Sequence, residues 1–564
     1  MIYRINLKEI EERLDLLRSK AELQLENDLP QVNGNIFLFL SVGNKKVRAK
    51  VFQASGQTID KAWRKIKQTV LKFIQKSNMN PEWLKIDLVT KIEQWDFVTF
   101  EQYIAKERRN YFRKGLAFDS EFRLAFLEQE LNGAALIRGK SGQPYALDQI
   151  NITNYMKYKY SNPPLFIKEK YIGSKIYTFE TLSFMDDSIG VYELYNGERT
   201  NGIRKVEDTP KEITNLIHQS AQFLTDEVLE DGKFKYGYFP CYGKPIQTYN
   251  ILRHCSTLYA MSEAYEFTKN EKLLQAIERG INYFIDHATV HNDDRAYVVD
   301  YANDNEIKLG SIAHAILALT KYMQATGSRE YIDLARQLGH TIIWMQQENG
   351  GFAHVWNHTD FTIKEAFRTV YYDGEAVFAL LRLYELDPQD IWLEKSVFAF
   401  DFLIENDYWK YHDHWLSYAV NEIVTYKPED QYFIFGLKNC YNRLPFIYQR
   451  ETTYPTFLEL TMAAFKMVRK IEQLNKEYLF EGFDKEFLFE TIDHRAEYQR
   501  VGYCYPEIAM YFKNPALVLH GFFIRHQAFR VRIDDIEHNL SGYIHYVLYR
   551  VPELQNKQLV LNDI

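Results

Sequence analysis

Two short strings hold the side chains best suited to chemistry. The first, Arg530-Val531-Arg532-Ile533-Asp534-Asp535-Ile536-Glu537-His538, passes from an alternating, strand-like approach into a helix that begins at an acidic pair. Asp535 and His538 are three residues apart, so on a helix they share a face. The second is Tyr371-Tyr372-Asp373-Gly374-Glu375. Breaking a glycosidic bond takes two carboxyl groups across that bond, one kept protonated by its surroundings and one ionised. Asp373 and Asp535 would supply the pair. Proton abstraction beside a uronate carboxylate takes instead a base and a cationic clamp, since a guanidinium matches a carboxylate in two-pronged fashion. His254, His538 or Tyr372 suit the first role; Arg253, Arg530 or Arg532 suit the second. Each residue alone has a plain structural reading: Asp373 and Asp534 as helix caps, Asp535 at the positive helix end, His538 as a packed ring. Their clustering is what points to chemistry.

Other strings are weaker. His412-Asp413-His414 sets two imidazoles on one side of an extended segment, with His354 or His358 as further donors. No third ligand has persuasive spacing, so no metal is expected. Arg138-Gly139-Lys140-Ser141-Gly142-Gln143 lacks the glycine spacing that wraps phosphate, and no cofactor is expected. Trp344, Trp356 and Trp415 stand near predicted turns, where an indole can floor a sugar site. Arg108, Arg109, Arg113 and Lys114 read as a solvated helix face.

The elements that position these residues follow from pattern. The chain has 564 residues, 46% of them hydrophobic, several times what one core needs, so at least two compact bodies are expected. The net charge of -8 is spread without a long acidic or basic block, which leaves no footprint for nucleic acid or an anionic membrane. The four cysteines are far apart and form no Cys-x-x-Cys pair, the usage of reduced thiols in a cytoplasmic protein. The charged opening MIYRINLKEIEERLDLL lacks the apolar stretch of a secretory signal, and the most apolar run, 36–42, is far too short to span a bilayer, which takes about 20 residues.

The first two hundred residues mix periods. Runs 36–42 and 47–54 are rich in strand formers around a Gly-Asn-Lys-Lys turn, and Ile59, Trp63, Ile66, Val70, Phe73 and Ile74 mark a helix over 58–76. Extended runs at 83–90, 174–182 and 190–195 and helical patterns near 100–106 and 122–136 complete an α+β body, 1–205. The polar segment 196–210 is the boundary. In 206–564 the pattern becomes repeated helix pairs: segments starting at Ser256, Ala315 and Glu375 each give an apolar helix, a short polar turn and an amphipathic helix, about 60 residues apart. Short extended stretches, 233–239, 296–301, 351–356 and 415–420, follow the second helix of each pair. Further apolar helices begin near Tyr454 and Asp534.

Alternating inner and outer helices with Gly-rich extended loops, and the string Gln346-Gln347-Glu348-Asn349-Gly350-Gly351-Phe352, resemble the (α/α) toroids, which include six-hairpin glycosidases, polysaccharide lyases, sugar epimerases, terpenoid cyclases and prenyltransferases. The nearest string to a terpene-cyclase Asp-x-Asp-Asp is Arg532-Ile533-Asp534-Asp535, and no Cys-His-Gly element of the lanthionine cyclases occurs. The resemblance therefore implies a carbohydrate-active member of the six-hairpin glycosidase-like group.

In such a ring the loops leading into the inner helices meet at one end, so polar residues just before each inner helix share a cleft. That selects Arg253 and His254, Lys308 and Ser311, Tyr372, Asp373 and Glu375, Thr453 and Tyr454, and Arg530, Arg532, Asp534, Asp535 and His538. The expected catalytic set is Asp373, Asp535, His538, His254 and Tyr372, with Arg253, Glu375, Tyr454, Arg530, Arg532, Asp534 and Trp356 holding an oligo- or polysaccharide. The expected activity is glycoside hydrolysis or uronate elimination or epimerisation, with a place in surface-polysaccharide metabolism. A non-catalytic module binding a glycan or a protein partner for envelope assembly is the alternative.

Overall fold

The computed structural model describes residues 6–139, 142–197, 200 and 202–555. Lys140 and Ser141 of the phosphate-like string, and 198, 199 and 201 of the boundary segment, lie outside them. The chain forms two compact units. The first comprises 1–207, 238–244 and 500–531; the second comprises 208–237, 245–499 and 532–564. The two later stretches of the first unit are ones that the sequence pattern groups with the toroid.

The first unit is an α+β body built on an antiparallel sheet. The long strands Ile36–Asn44, Val47–Gly56, Trp83–Asp96 and Lys175–Asp186 run in spatial order second, first, third, fourth. The Ile36 strand is central and reads as an unbroken apolar run because both its faces are covered. Leu38, Leu40 and Val42 meet helices Leu7–Leu23 and Ile59–Ser77, while Phe37 and Phe39 join Phe122, Phe179 and Tyr511 on the other side. Thr58 caps the second helix by accepting the Lys61 amide, and Asn44 closes the hairpin by accepting the amides of Lys46 and Val47. The pattern at 122–136 gives only a short helix, Glu128–Gly133, after the paired strands Gly115–Ala117 and Ala125–Phe126 have ended.

The second unit is an (α/α) toroid of six hairpins. Its inner helices are Ile251–Thr268, Leu309–Thr326, Tyr371–Leu386, His414–Tyr426, Thr456–Gln473 and Ile533–His545. Each packs on the next, and the sixth packs on the first, so the ring closes. Helices Thr209–Glu227, Glu271–Ala288, Ile332–Met345, Asp390–Glu405, Asp430–Tyr441 and Lys485–Gln499 lie outside it. The inner helices are buried nearly all round, which is why they read as apolar throughout, whereas Glu271–Ala288 keeps a single apolar stripe.

The fourth inner helix corrects the sequence expectation of an extended stretch at 415–420. Asp413 starts a helix by accepting the Leu416 amide, and Leu416, Val420, Ile423 and Val424 recur at helical spacing. The count of inner helices rises from five to six, and His414 moves from a loop into a first turn. A five-stranded antiparallel sheet (Thr289–Asn292, Arg295–Asp300, Glu306–Lys308, Val355–Asn357 and Ile363–Glu365) braces the loops that enter the second and third inner helices.

Candidate functional site

Asp373 and Asp535 are both the third residue of an inner helix, and Glu375 and Glu537 both the fifth. Two residues along a helix is about 200° around it, so members of each pair face opposite ways. Asp373 is 1% exposed and accepts a hydrogen bond from His354 Nε2 at 3.0 Å. His354 Nδ1 accepts the Arg368 amide, which fixes the tautomer. Burial raises the Asp373 carboxyl and the His354 bond opposes that rise. Tyr372 is buried beside the same imidazole, with burial holding its hydroxyl protonated. The two therefore fasten a loop to a helix, and the Asp373 carboxylate has its partner in that loop.

Glu375 faces the other way. It is 3% exposed, its Oε2 has no hydrogen-bond partner, and His314 Nδ1 approaches to 3.6 Å. Burial, then the Asp413 carboxylate, push Glu375 well above the usual carboxylate range, so it is a neutral acid. Gly310 makes the room: a Cβ there would stand 2.4 Å from Glu375 Oε2 and 2.6 Å from the Tyr372 ring. His314 Nδ1 donates to the Gly310 carbonyl at 2.8 Å, so Nε2 carries the lone pair, and burial pulls the ring down to about 3, which keeps it neutral. Trp415 lies edge-on to it at 4.8 Å.

From the sixth inner helix, Glu537 Oε2 accepts from Ser256 at 2.7 Å and Thr257 at 3.0 Å, and burial pushes its carboxyl up to about 8. His538, with 19% of its side chain exposed, stands with Nδ1 3.0 Å from Glu459 Oε2 of the fifth inner helix. Burial pulls its imidazolium down, but the carboxylates of Glu459 and Glu537 outweigh that and raise it to about 10. His414 Nε2 lies 3.7 Å from the same Glu459 oxygen, and its ring meets that of His538 at 5.1 Å. Second, third, fourth, fifth and sixth inner helices thus deliver His314, Glu375, His414, Glu459, Glu537 and His538 to one end of the ring.

The other expected residues fall in three places. Arg253 and Arg532 both bond to Asp534, Arg253 Nε at 2.8 Å and Arg532 Nη2 at 2.5 Å, which spends the predicted carboxylate clamp inside the protein. Asp535 is 4% exposed, and its backbone carbonyl accepts from Asn539. His254 is fully buried, taking the Tyr249 hydroxyl on Nδ1 and donating from Nε2 to the Gly280 carbonyl; burial lowers it to about 4. It is a packing residue with both nitrogens engaged. Trp356 packs at a tilt on Trp344, ring centroids 4.2 Å apart, and Arg530 belongs to the first unit. Tyr454 is 46% exposed and stacks on Phe457; Tyr371, at 48%, and Phe367, at 54%, are likewise exposed beside the third inner helix.

Of the histidines weighed for a metal in the sequence, His412 bonds to the Asn439 carbonyl and His354 to Asp373, while His414 turns to Glu459. The residues that were missed, His314, Glu459 and Glu537, sit inside inner helices and not before them. A lone polar residue in an otherwise apolar helix, as in Ile312-Ala313-His314-Ala315-Ile316 or Phe457-Leu458-Glu459-Leu460, was the available signal. All four cysteines are buried and free of disulfides, and no helix among the described residues is long and apolar enough to cross a membrane.

No protein-family model matches the chain, and no curated protein matches it. Among solved structures it is similar to a sugar epimerase from a ruminal bacterium (15% identity, 60% of this chain and 99% of that one, TM-score 0.46). It is also similar to cellobiose 2-epimerase from Bacillus thermoamylovorans (14%, 60% and 98%, TM-score 0.47). A third similar structure is the GH76A alpha-1,6-mannanase from Salegentibacter (11%, 60% and 99%, TM-score 0.43). At these identities and overlaps no residue correspondence follows.

Proposed function

We propose that the toroid is a carbohydrate-active enzyme that moves protons to and from a neutral sugar at the ring end where the cluster lies. The observation that supports this most is the pairing of a neutral carboxylic acid, Glu375, with a neutral imidazole, His314, both buried, with Trp415 edge-on to the imidazole. A proton donor and acceptor kept in these states by burial suit general acid–base catalysis, and aromatic faces suit the C–H faces of a sugar ring. Exposed Phe367, Tyr371 and Tyr454 offer further stacking surfaces. Arg253 and Arg532 are both engaged by Asp534, and a uronate would need a free clamp, which favours a neutral sugar. Asp373 and Asp535 give way in this reading to Glu375 and Glu537, one turn face around.

The test is incubation with a panel of neutral oligosaccharides and uronate polymers in heavy water. New reducing ends report hydrolysis, carbon-bound deuterium reports epimerisation, and unsaturated products report elimination. Turnover of a neutral sugar that falls at least 100-fold in Glu375→Gln supports the reading. Glycan binding with no product from either protein would assign the ring to the non-catalytic role, and turnover of uronates alone would refute the neutral-sugar assignment.

A further inference from the structure

One set of atoms in the cluster has no use in that chemistry. His414 Nε2, Glu459 Oε2 and His538 Nδ1 come from the fourth, fifth and sixth inner helices, and one ligand atom from each residue lies within 4.8 Å of the others. All three atoms are buried without a hydrogen-bond partner, His538 Nδ1 included, although it stands 3.0 Å from Glu459 Oε2. Leaving three strong polar atoms unmatched together in a closed site is costly, and a shared cation satisfies them at once. We propose that His414, Glu459 and His538 bind a divalent transition-metal ion of the zinc type, with at least one coordination position left open.

The donor set fits. Two imidazoles and one carboxylate are a recurrent set for zinc and its first-row neighbours, the ion taking the place of the proton that His538 otherwise shares with Glu459, and ligand atoms around a tetrahedral ion at bond lengths near 2.05 Å stand about 3.3 Å apart. The separations of 3.0 and 3.7 Å from Glu459 Oε2 bracket that value.

The surroundings fit as well. Metal-bound histidines pass their second nitrogen to a carboxylate, and ligating carboxylates are themselves hydrogen-bonded. Here Asp413 Oδ1 lies 3.4 Å from His414 Nδ1, Glu537 Oε1 lies 3.8 Å from His538 Nε2, and the Tyr418 hydroxyl donates to Glu459 Oε1 at 3.2 Å. Glu459 thus has a hydrogen-bonded outer partner, and each histidine has a carboxylate close to its far nitrogen. His538 is the least buried of the three and marks the side from which an ion enters.

The experiment is metal binding by the full chain without a histidine tag. The stripped protein is dialysed against Zn²⁺, its metal content measured, and its affinity taken by competition with a chelator; Co²⁺ then replaces Zn²⁺ for visible absorption. The expected result is one equivalent bound, intense bands of a four- or five-coordinate Co²⁺ ion, and at least 100-fold weaker binding in Glu459→Gln and His538→Asn, with exposed His291→Gln unchanged. Failure to retain one equivalent, affinity unaltered by both variants, or only the faint absorption of hydrated Co²⁺ would overturn the proposal. The Co²⁺ spectrum of the unaltered chain decides the matter even if a variant does not fold. The readout is metal and not turnover, so its failure leaves the sugar reading standing, and the reverse holds.

Discussion

His354 joins Asp373 to the turn before it: Nε2 donates to the carboxylate at 3.0 Å, and Nδ1 accepts the amides of Arg368 at 3.0 Å and Thr369 at 3.3 Å. One imidazole therefore sets the angle at which the chain enters the third inner helix. Asp373→Ala leaves the Nε2–H unmatched in a closed site and should lower unfolding free energy by about 2–3 kcal/mol in urea titrations. Asp373→Asn keeps an acceptor and should cost under about 1 kcal/mol. If Asp373→Asn instead folded as well as the parent but lost all turnover on a working substrate, Asp373 would be catalytic after all.

Glu375 gives a pH signature. Its folded value is raised by burial while the unfolded value is ordinary, near 4.5. Between those two values the folded state holds a proton that the unfolded state has released, so this group's contribution to stability is complete below pH 4.5 and declines as pH rises toward the folded value. Glu375→Gln has no proton to lose. Its melting temperature relative to the parent should climb steadily from pH 5 to pH 8, and a flat difference over that window would show that Glu375 ionises normally.

Glu306 works in the opposite sense. Arg368 binds it in two-pronged fashion at 2.7 and 2.9 Å, Lys364 adds a contact at 2.7 Å, and together with Lys308 they hold its carboxyl down at about 2. The stability it provides is present above the unfolded value near 4.5 and is lost as pH falls toward 2. Glu306→Gln should cost about 2 kcal/mol at pH 7 and about a quarter of that at pH 2.5 by denaturant unfolding. Equal losses at both pH values would mean that packing, and not charge, is what Glu306 contributes.

Much of this architecture is legible in the amino-acid pattern, and the failures have physical causes. The central strand at Ile36 and the inner helices at Ala315 and Glu375 show because both kinds of element are buried on all sides and leave long apolar runs. The fourth inner helix is hidden by its own beginning: three aromatic or imidazole residues around Asp413 look like an extended stretch, and only the cap bond to Leu416 turns them into a first turn. Asp373 and Asp535 were legible as acids near helix starts, but not the side they face. A shift of two residues separates a carboxyl facing a loop from one facing the axis, and no periodicity marks the difference when the whole helix is buried. His314 and Glu459 are not marked by position before an inner helix, because the ring gathers its polar side chains a turn inside them.

The chain passes between its two bodies five times, at 207, 237, 244, 499 and 531. No single proteolytic cut can therefore release either one, and neither can be expressed as an unbroken fragment. During synthesis the α+β body waits for residues 500–531 although its first strand begins at Ile36, and the toroid waits for Ile533–His545 to shut its last gap. Neither is complete before residue 531 has been made, so premature termination anywhere upstream loses both bodies at once.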